Sequence, residues 1–435
     1  MDRFGRELRR LRERAGFTQA QLAARLGYDH TYLSKLESGA RVPPITFARQ
    51  ADDLLKARGA LLALATNARM RRPGRDADSA GGPAGMPLPC PPHASHPVKL
   101  PPVRPISLPA FGITCPLHGA GGCTLSAPVA GLADLLGDKA RTAGAETVHG
   151  FAALLTRYIE ADLEALTGDL AMPVEQALHA LLDTVPQARG AVATGLLHLA
   201  AQYADLAGWL RIKRGQHGIG MTWLHRSLEW AAASRNFPTA CEALSSMSVF
   251  ALMEGDAATA LRYGRAAAGV DPHRRWTTVQ ADLDQARAHA VLGDWAEFTR
   301  HADEAQRVAE RLGDRDRVEA PWLSGAEGET FVASHLAGAL RDLADTTGDP
   351  ATAGRAVLFA RKSLANVPSR MHASRLMLTL RLADSHACSG DIDAAVAVAR
   401  PVIQTAESAQ VTLISHELDR LRTRLGDRST DLFDG

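Results

Sequence analysis

The sequence predicts an all-α protein, with a small multi-helix unit at its N-terminus and an α-solenoid of helical hairpins behind it. Three observations predict this. Apolar residues recur at three- and four-residue spacing through most of the chain, and hardly any segment alternates as a strand would. Glycine-led breaks at Gly215-Gln216, Gly255-Asp256, Gly293-Asp294, Gly348-Asp349 and Gly390-Asp391 each separate two Ala- and Leu-rich runs, at intervals of 40, 38, 55 and 42 residues. A chain of 435 residues is also too long for one ordinary hydrophobic core. The expected divisions are 1–70 for the N-terminal unit, 71–145 for a Pro- and Gly-rich linker, 146–427 for the hairpins and 428–435 for a tail.

In the N-terminal unit Phe4, Leu8 and Leu11 fall on one stripe of a first helix, with Arg9, Arg10 and Arg14 around it and Gly16 placed to end it. Thr18 offers an N-cap hydroxyl and Gln21 follows three residues on, the spacing of a capping box. Leu22, Ala23 and Leu26 then give a second short helix its apolar face, and Gly27 closes it. Asp29 can cap a third helix in which Tyr32, Leu33 and Leu36 face inward while His30, Thr31, Ser34 and Lys35 face out.

The formal net charge of +1 is unevenly divided. Residues 1–72 carry 15 Arg or Lys against 7 Asp or Glu, a net of +8, and the other 363 residues carry a net of −7, so a polyanion is drawn to the N-terminal end. The outward face of the third helix suits the major groove. Lys35 can donate to guanine acceptors, His30 can bond a base edge and the Thr31 methyl can pack on thymine. Thr18, Gln19, Ser38 and Arg41 flank that face at the positions expected to meet phosphate.

The run TQAQLAARLGYDHTYLSKLESG, with Thr18-Gln19, Leu22-Ala23, Gly27, Leu33 and Glu37-Ser38-Gly39, resembles the Cro and C1 repressor helix-turn-helix family, also called the xenobiotic response element family, over about residues 4–58. The resemblance implies a five-helix DNA-binding domain. It implies base contacts from His30, Thr31 and Lys35, and an ion pair between Arg12 of the first helix and Glu37 at the end of the third. Asp29 departs from the family, where Ser, Thr or Gln is common and can touch DNA; an Asp there can cap but would repel phosphate.

Residues 73–116 contain 12 prolines, which forbids a continuous helix and favours extended chain. Within and just beyond this stretch lie two Cys-x2-His pairs, Cys90 with His93 and Cys115 with His118, and His96 and Cys123 are nearby. Thiolate and imidazole in this number are a candidate structural zinc site, although the spacing matches no standard finger; a loop without metal, unligated or redox-responsive, is the other reading. Five cysteines, an odd number scattered along the chain, are not the framework of a disulfide-stapled domain. No signal-peptide core and no run near the roughly 20 apolar residues of a membrane span is present, so a cytoplasmic protein without a membrane partner is expected.

In the hairpin region glycine permits each turn, Asp caps the next helix and the alanines after it allow close packing. GDAATALRYGRAAAG at 255–269 and GDIDAAVAVARPVIQTA at 390–406 are the clearest units, and they look like degenerate tetratricopeptide repeats. The whole arrangement resembles actinomycete regulators that join such a helix-turn-helix to such repeats. A hairpin superhelix has a concave face suited to a peptide or protein. Gln202, Tyr203, Arg211, Gln280, Arg287, Glu327, His372 and Arg375 are the candidates for that face. Trp209, Trp223, Trp230, Trp276, Trp295 and Trp322 read mainly as packing between hairpins, and Cys241 and Cys388 as core.

No phosphate loop, HExxH, nucleophile elbow or dinucleotide fingerprint is present, so no enzyme activity and no required cofactor are expected. The expected function is sequence-specific transcriptional regulation on double-stranded DNA. A homodimer would read a palindromic operator and respond to a peptide, small-molecule or protein effector held by the repeats. The alternative is a protein-interaction scaffold tethered to DNA and without a small effector.

Overall fold

The computed structural model describes residues 3–26, 28, 30–39, 43, 45–57, 60–61, 64, 106–119, 121–125, 143–164, 169–409 and 411–426, with a few of their side chains excepted. In the N-terminal unit these include four helices, α1 (Arg3–Arg14), α2 (Gln19–Leu26), α3 (His30–Ser38) and α4 (Ile45–Leu54). Residues 60, 61 and 64 are also helical. Phe4, Leu8, Leu22, Leu33, Leu36 and Phe47 are fully buried in one core, as the spacing of α1 to α3 predicts. Gly16 has φ +74°, the left-handed conformation that ends a helix, and the Thr18 hydroxyl accepts from the Gln21 amide at 3.1 Å while Gln21 Oε1 accepts from the Thr18 amide at 2.9 Å. The capping box is therefore complete. Gly5 lets α1 cross the end of α3 closely: a Cβ there would lie 2.4 Å from the Glu37 carbonyl oxygen.

Among the described residues a small hairpin, β1 (Ile106–Leu108) antiparallel to β2 (Cys123–Leu125), lies within the stretch read as linker. Ile106, Leu108, Ile113 and Cys115 share a core with the first helices of the body. Apolar side chains at the end of the proline-rich segment, together with paired backbone, fix this part of the chain onto the helices. Gly112 (φ +81°) brings the hairpin against Trp322, whose ring would be 2.9 Å from an added Cβ.

The body comprises α5 (Ala145–Glu164), α6 (Ala171–Thr184), α7 (Gly190–Lys213), α8 (His217–Ser234), α9 (Phe237–Met253), α10 (Ala257–Val270), α11 (Arg275–Val291) and α12 (Trp295–Ala309). It continues through α13 (Asp314–Glu319), α14 (Gly325–Thr347), α15 (Pro350–Ala365), α16 (His372–Cys388), α17 (Ile392–Ala399), α18 (Ile403–Ser408) and α19 (Thr412–Leu425). Each Gly-led break is the turn inside a hairpin: α7 pairs with α8, α9 with α10, α11 with α12, α14 with α15 and α16 with α17. Gly215, Gly255, Gly293, Gly348 and Gly390 all have φ between +69° and +87°. Four of the following residues cap: Asp256 accepts from the Thr259 amide at 3.0 Å, Asp294 from Glu297 at 3.1 Å, Asp349 from Thr352 at 3.0 Å and Asp391 from Ala394 at 3.1 Å. Gln216 does not cap; its Oε1 accepts from Arg211 Nη1 at 2.5 Å instead.

The array turns back on itself, with α16 against α5 and α19 against α7. This closure changes the inner face. First helices of successive hairpins meet one another and the returning C-terminal helices, so their polar side chains are buried in ion pairs instead of lining an open groove.

Candidate nucleic-acid interface

The turn between α2 and α3 is held from behind by a buried polar cluster. Arg12 donates through Nε to Glu37 Oε1 at 2.5 Å and through Nη2 to Oε2 at 3.0 Å, and Arg12 Nη1 donates to the Phe17 carbonyl at 2.9 Å. Arg12 is 7% and Glu37 2% exposed, so this two-pronged pair is shielded from water and fixes α3 against α1. Hydrogen bonding to Glu37 raises the Arg12 pKa and keeps its guanidinium charged. The pair expected from the resemblance is present, and Gln19 completes it by donating from Nε2 to Glu37 Oε2 at 2.8 Å.

Fixing α3 in this way leaves His30 and Lys35 exposed on one side of it, with Leu33 and Leu36 buried on the other. Thr31 is helical, and its side chain lies outside what is described, as do Arg41, Asp29 and Gly27. Thr18 and Ser38 are exposed at the two ends of the α2 to α3 unit. Each already has an internal role: the Thr18 hydroxyl caps α2, and the Ser38 hydroxyl donates to the Lys35 carbonyl at 3.1 Å. Gln19 is the residue whose reading changes most. One of its amide hydrogens is committed to Glu37, so a phosphate contact falls to the second hydrogen or to the backbone amide at the start of α2.

The surface also touches the body. Tyr28, which stacks on Tyr32 at 4.8 Å between ring centroids, covers Gly218 near the start of α8, where an added Cβ would lie 2.5 Å from Tyr28 Cδ1.

The residues proposed from sequence for an effector groove do not form one surface. Tyr203 is in the core and donates its hydroxyl to the Phe151 carbonyl at 2.8 Å. Arg211 is buried in a two-pronged pair with Glu175, and Gln280 is buried and donates to the Ser245 hydroxyl at 2.9 Å. Arg287 sits 3.6 Å from Asp342, and Gln202 Oε1 is buried without a hydrogen-bond partner. Glu327 and His372 are exposed, and Arg375, also exposed, donates to the Val367 carbonyl at 2.6 Å. Five of the eight are thus buried or committed inside the body because the helices that carry them pack on both sides. Trp223 and Trp276 are fully buried, as packing residues should be, whereas Trp295 is 44% exposed beneath Arg355.

Among the candidate metal ligands, Cys90 and His93 lie outside the described residues, as does His96. Cys115 and His118 stand together beside Cys123 and His149, all four ligand atoms within 4.8 Å of one another. His149, on α5, was not singled out by any short-range spacing. Burial, then the adjacent Cys115, pushes the Cys123 thiol pKa up, and burial, then His118, pushes that of His149 down.

Residues 3–65 match the family model described as a helix-turn-helix domain. No curated protein and no solved structure matches the chain. The N-terminal unit is thus a helix-turn-helix DNA-binding domain of the Cro and C1 kind, joined to a helical-repeat body. The chain is in the first instance a DNA-binding regulator, and no helix among its described residues is long and apolar enough to cross a membrane.

Proposed function

We propose that this protein is a cytoplasmic, non-catalytic transcriptional regulator that reads a palindromic operator as a homodimer. The observation that carries this reading is the rigid presentation of α3: Arg12, Glu37 and Gln19 lock its base while His30 and Lys35 stay exposed. His30, Thr31 and Lys35 read bases; Thr18, Gln19, Ser38 and Arg41 lie against phosphate and set the register. One helix reads few base pairs, so two domains about 34 Å apart on one face of the duplex supply the remaining specificity.

The body, whose hairpins are of tetratricopeptide type in this reading, holds the dimer and responds to an effector. Contact between Tyr28 and Gly218 supports mechanical coupling of the two parts, because a shift of α8 displaces the aromatic cluster behind α3. Genome-wide mapping of bound DNA in the protein's own cells tests the proposal. Sharp palindromic sites are expected for the wild type and their loss for a His30→Ala, Thr31→Ala, Lys35→Ala variant. Sites that persist in the variant would reject α3 as the reader.

A further inference from the structure

We propose that Cys115, His118, Cys123 and His149 form a tetrahedral zinc(II) site that clamps the β1–β2 hairpin to α5. Cys115 Sγ is 3.4 Å from His118 Nδ1, Cys123 Sγ is 3.8 Å from His149 Nε2, and the two imidazole rings face each other with centroids 5.2 Å apart. Zinc bonds of about 2.3 Å to sulfur and about 2.0 to 2.1 Å to nitrogen place neighbouring ligands about 3.3 to 3.8 Å apart around a tetrahedron. Both of these pairs fall in that range, and the remaining separations, none above 4.8 Å, need close by no more than about 1.5 Å. Two thiolates and two imidazoles form a donor set that favours this borderline-soft ion over the oxygen-seeking calcium and magnesium.

The backbone is shaped to bring these side chains together. In Cys115-Pro116-Leu117-His118-Gly119 the amides of His118 and Gly119 both donate to the Cys115 carbonyl, at 3.2 and 2.7 Å, with Gly119 at φ +59° closing the turn. Leu108 pairs with Cys123 in the sheet, which sets the third ligand beside the first two. His149 comes from the first half of α5, next to Val148, which is buried in the core that Ile106, Leu108 and Ile113 enter. Cys115 is fully buried while His118 is exposed, so the site is sheltered on one side and open to entry of an ion on the other.

Two three-residue strands are too little sheet to hold by themselves, and small elements of this kind are commonly stapled by metal. The clamp would fix where the chain leaving the DNA-binding domain joins the body. A second cluster, His289, Glu297 and His301, is a poorer cation site: His301 Nδ1 is occupied by Asp282 at 2.6 Å and its Nε2 faces Arg300 Nη2 at 2.7 Å.

The test is elemental analysis of the full-length protein purified without chelator, followed by cobalt(II) titration of chelator-stripped wild type. About one zinc per chain is expected, and cobalt should give the intense visible bands of a tetrahedral site together with thiolate charge transfer. Cys123→Ser and His149→Gln should each lose the metal, and a Cys90→Ser, His93→Gln variant should keep it. A weak six-coordinate cobalt spectrum, a Cys115 to Cys123 disulfide in place of metal, or zinc retained by both Cys123→Ser and His149→Gln would overturn the site. The cobalt spectrum of the wild type stands as a result even if a variant does not fold.

Discussion

The N-terminal domain and the helical body both bury charge, but they put it to different structural use. In the N-terminal domain one carboxylate, Glu37, takes one guanidinium from Arg12 and one amide from Gln19, and His30 and Lys35, assigned to DNA bases, are exposed outside this cluster. In the body Glu417 takes two guanidiniums. Arg341 donates to it, Arg381 does so at 2.7 and 3.0 Å, and around them Asp384 receives Arg341 at 3.2 Å and Arg424 at 2.6 Å while Asp342 receives Arg420 at 2.7 Å. These residues come from α14, α16 and α19, so the network ties the last hairpins of the array together. A small domain with one buried pair keeps its polar surface for a ligand; a closed array of hairpins spends its inner polar residues on its own cohesion.

The largest expected effect breaks the second arrangement. Glu417→Ala takes the shared carboxylate from two buried guanidiniums, leaving Arg341 with Asp384 at 3.2 Å and Arg381 with the Ser334 carbonyl and hydroxyl at 3.0 Å, and breaking a buried pair costs about 3 to 5 kcal/mol. Its unfolding midpoint in urea should fall accordingly while the intrinsic base preference of the N-terminal domain stays unchanged. Glu37→Ala takes the carboxylate from one guanidinium and from the part-buried Gln19 amide, and Arg12 keeps the Phe17 carbonyl, so its cost should lie at or below the lower end of that range and DNA binding should weaken as α3 loosens. Equal losses of stability with DNA binding intact in both would remove the distinction. Gly5→Ala is the next smaller step: the added Cβ meets the Glu37 and Leu36 carbonyls, which are backbone and cannot rotate away, for a loss of about 1 to 3 kcal/mol by overpacking.

A pH experiment separates two kinds of buried carboxylate within the body. Burial alone would raise Glu417, but Arg341 and then Arg381 outweigh it and hold its pKa well below the carboxylate range. Its contribution to stability is present above the unfolded-state value and is lost as pH falls through the depressed one. Asp284, buried on α11, has the opposite sign: burial pushes it up to about 7 against the pull of Ser245, Gln280 and Arg287. The folded state then holds a proton the unfolded chain has released, so its contribution declines as pH rises from about 4 to about 7, by at most about 1.4 kcal/mol per pH unit. Asp284→Asn should flatten the fall in urea stability over that window, with a remainder due to Asp205, also pushed up to about 7 by burial, and to Glu242, raised by burial and then by Asp205. An unchanged slope would show that Asp284 is ionised in the folded protein.

What could be read from the sequence follows from how local each feature is. The capping box at Thr18 and Gln21, the left-handed Gly16 and the Gly-Asp turns are set by neighbours within about four residues, and each was legible. Partners separated by larger intervals were not. His149 joins Cys123 from 26 residues away and Glu417 meets Arg341 from 76, distances that only the packing of whole helices determines. The pairing of Arg12 with Glu37, 25 residues apart, was legible only through family resemblance. The effector face failed for the same reason, since closure of the array onto α5 and α7 is a property of the assembled hairpins and has no short-range pattern.

The smallest effect concerns the turn that the Gly-Asp pattern missed. Between α8 and α9 the left-handed position is Arg235, at φ +54°, and Asn236 supplies the cap, its Oδ1 accepting from the Thr239 amide at 3.3 Å. Arginine pays a steric cost there that glycine does not, of order 1 kcal/mol, partly offset by glycine's greater freedom in the unfolded chain. Arg235→Gly should therefore leave stability unchanged or raise it by a few tenths of a kcal/mol, whereas Asp256→Ala at the matching cap of α10 should lower it by about 1 kcal/mol. Both are readable as shifts in urea midpoint. A clear loss from Arg235→Gly would mean that this exposed side chain holds a contact of its own, and that the departure from glycine is selected at this turn.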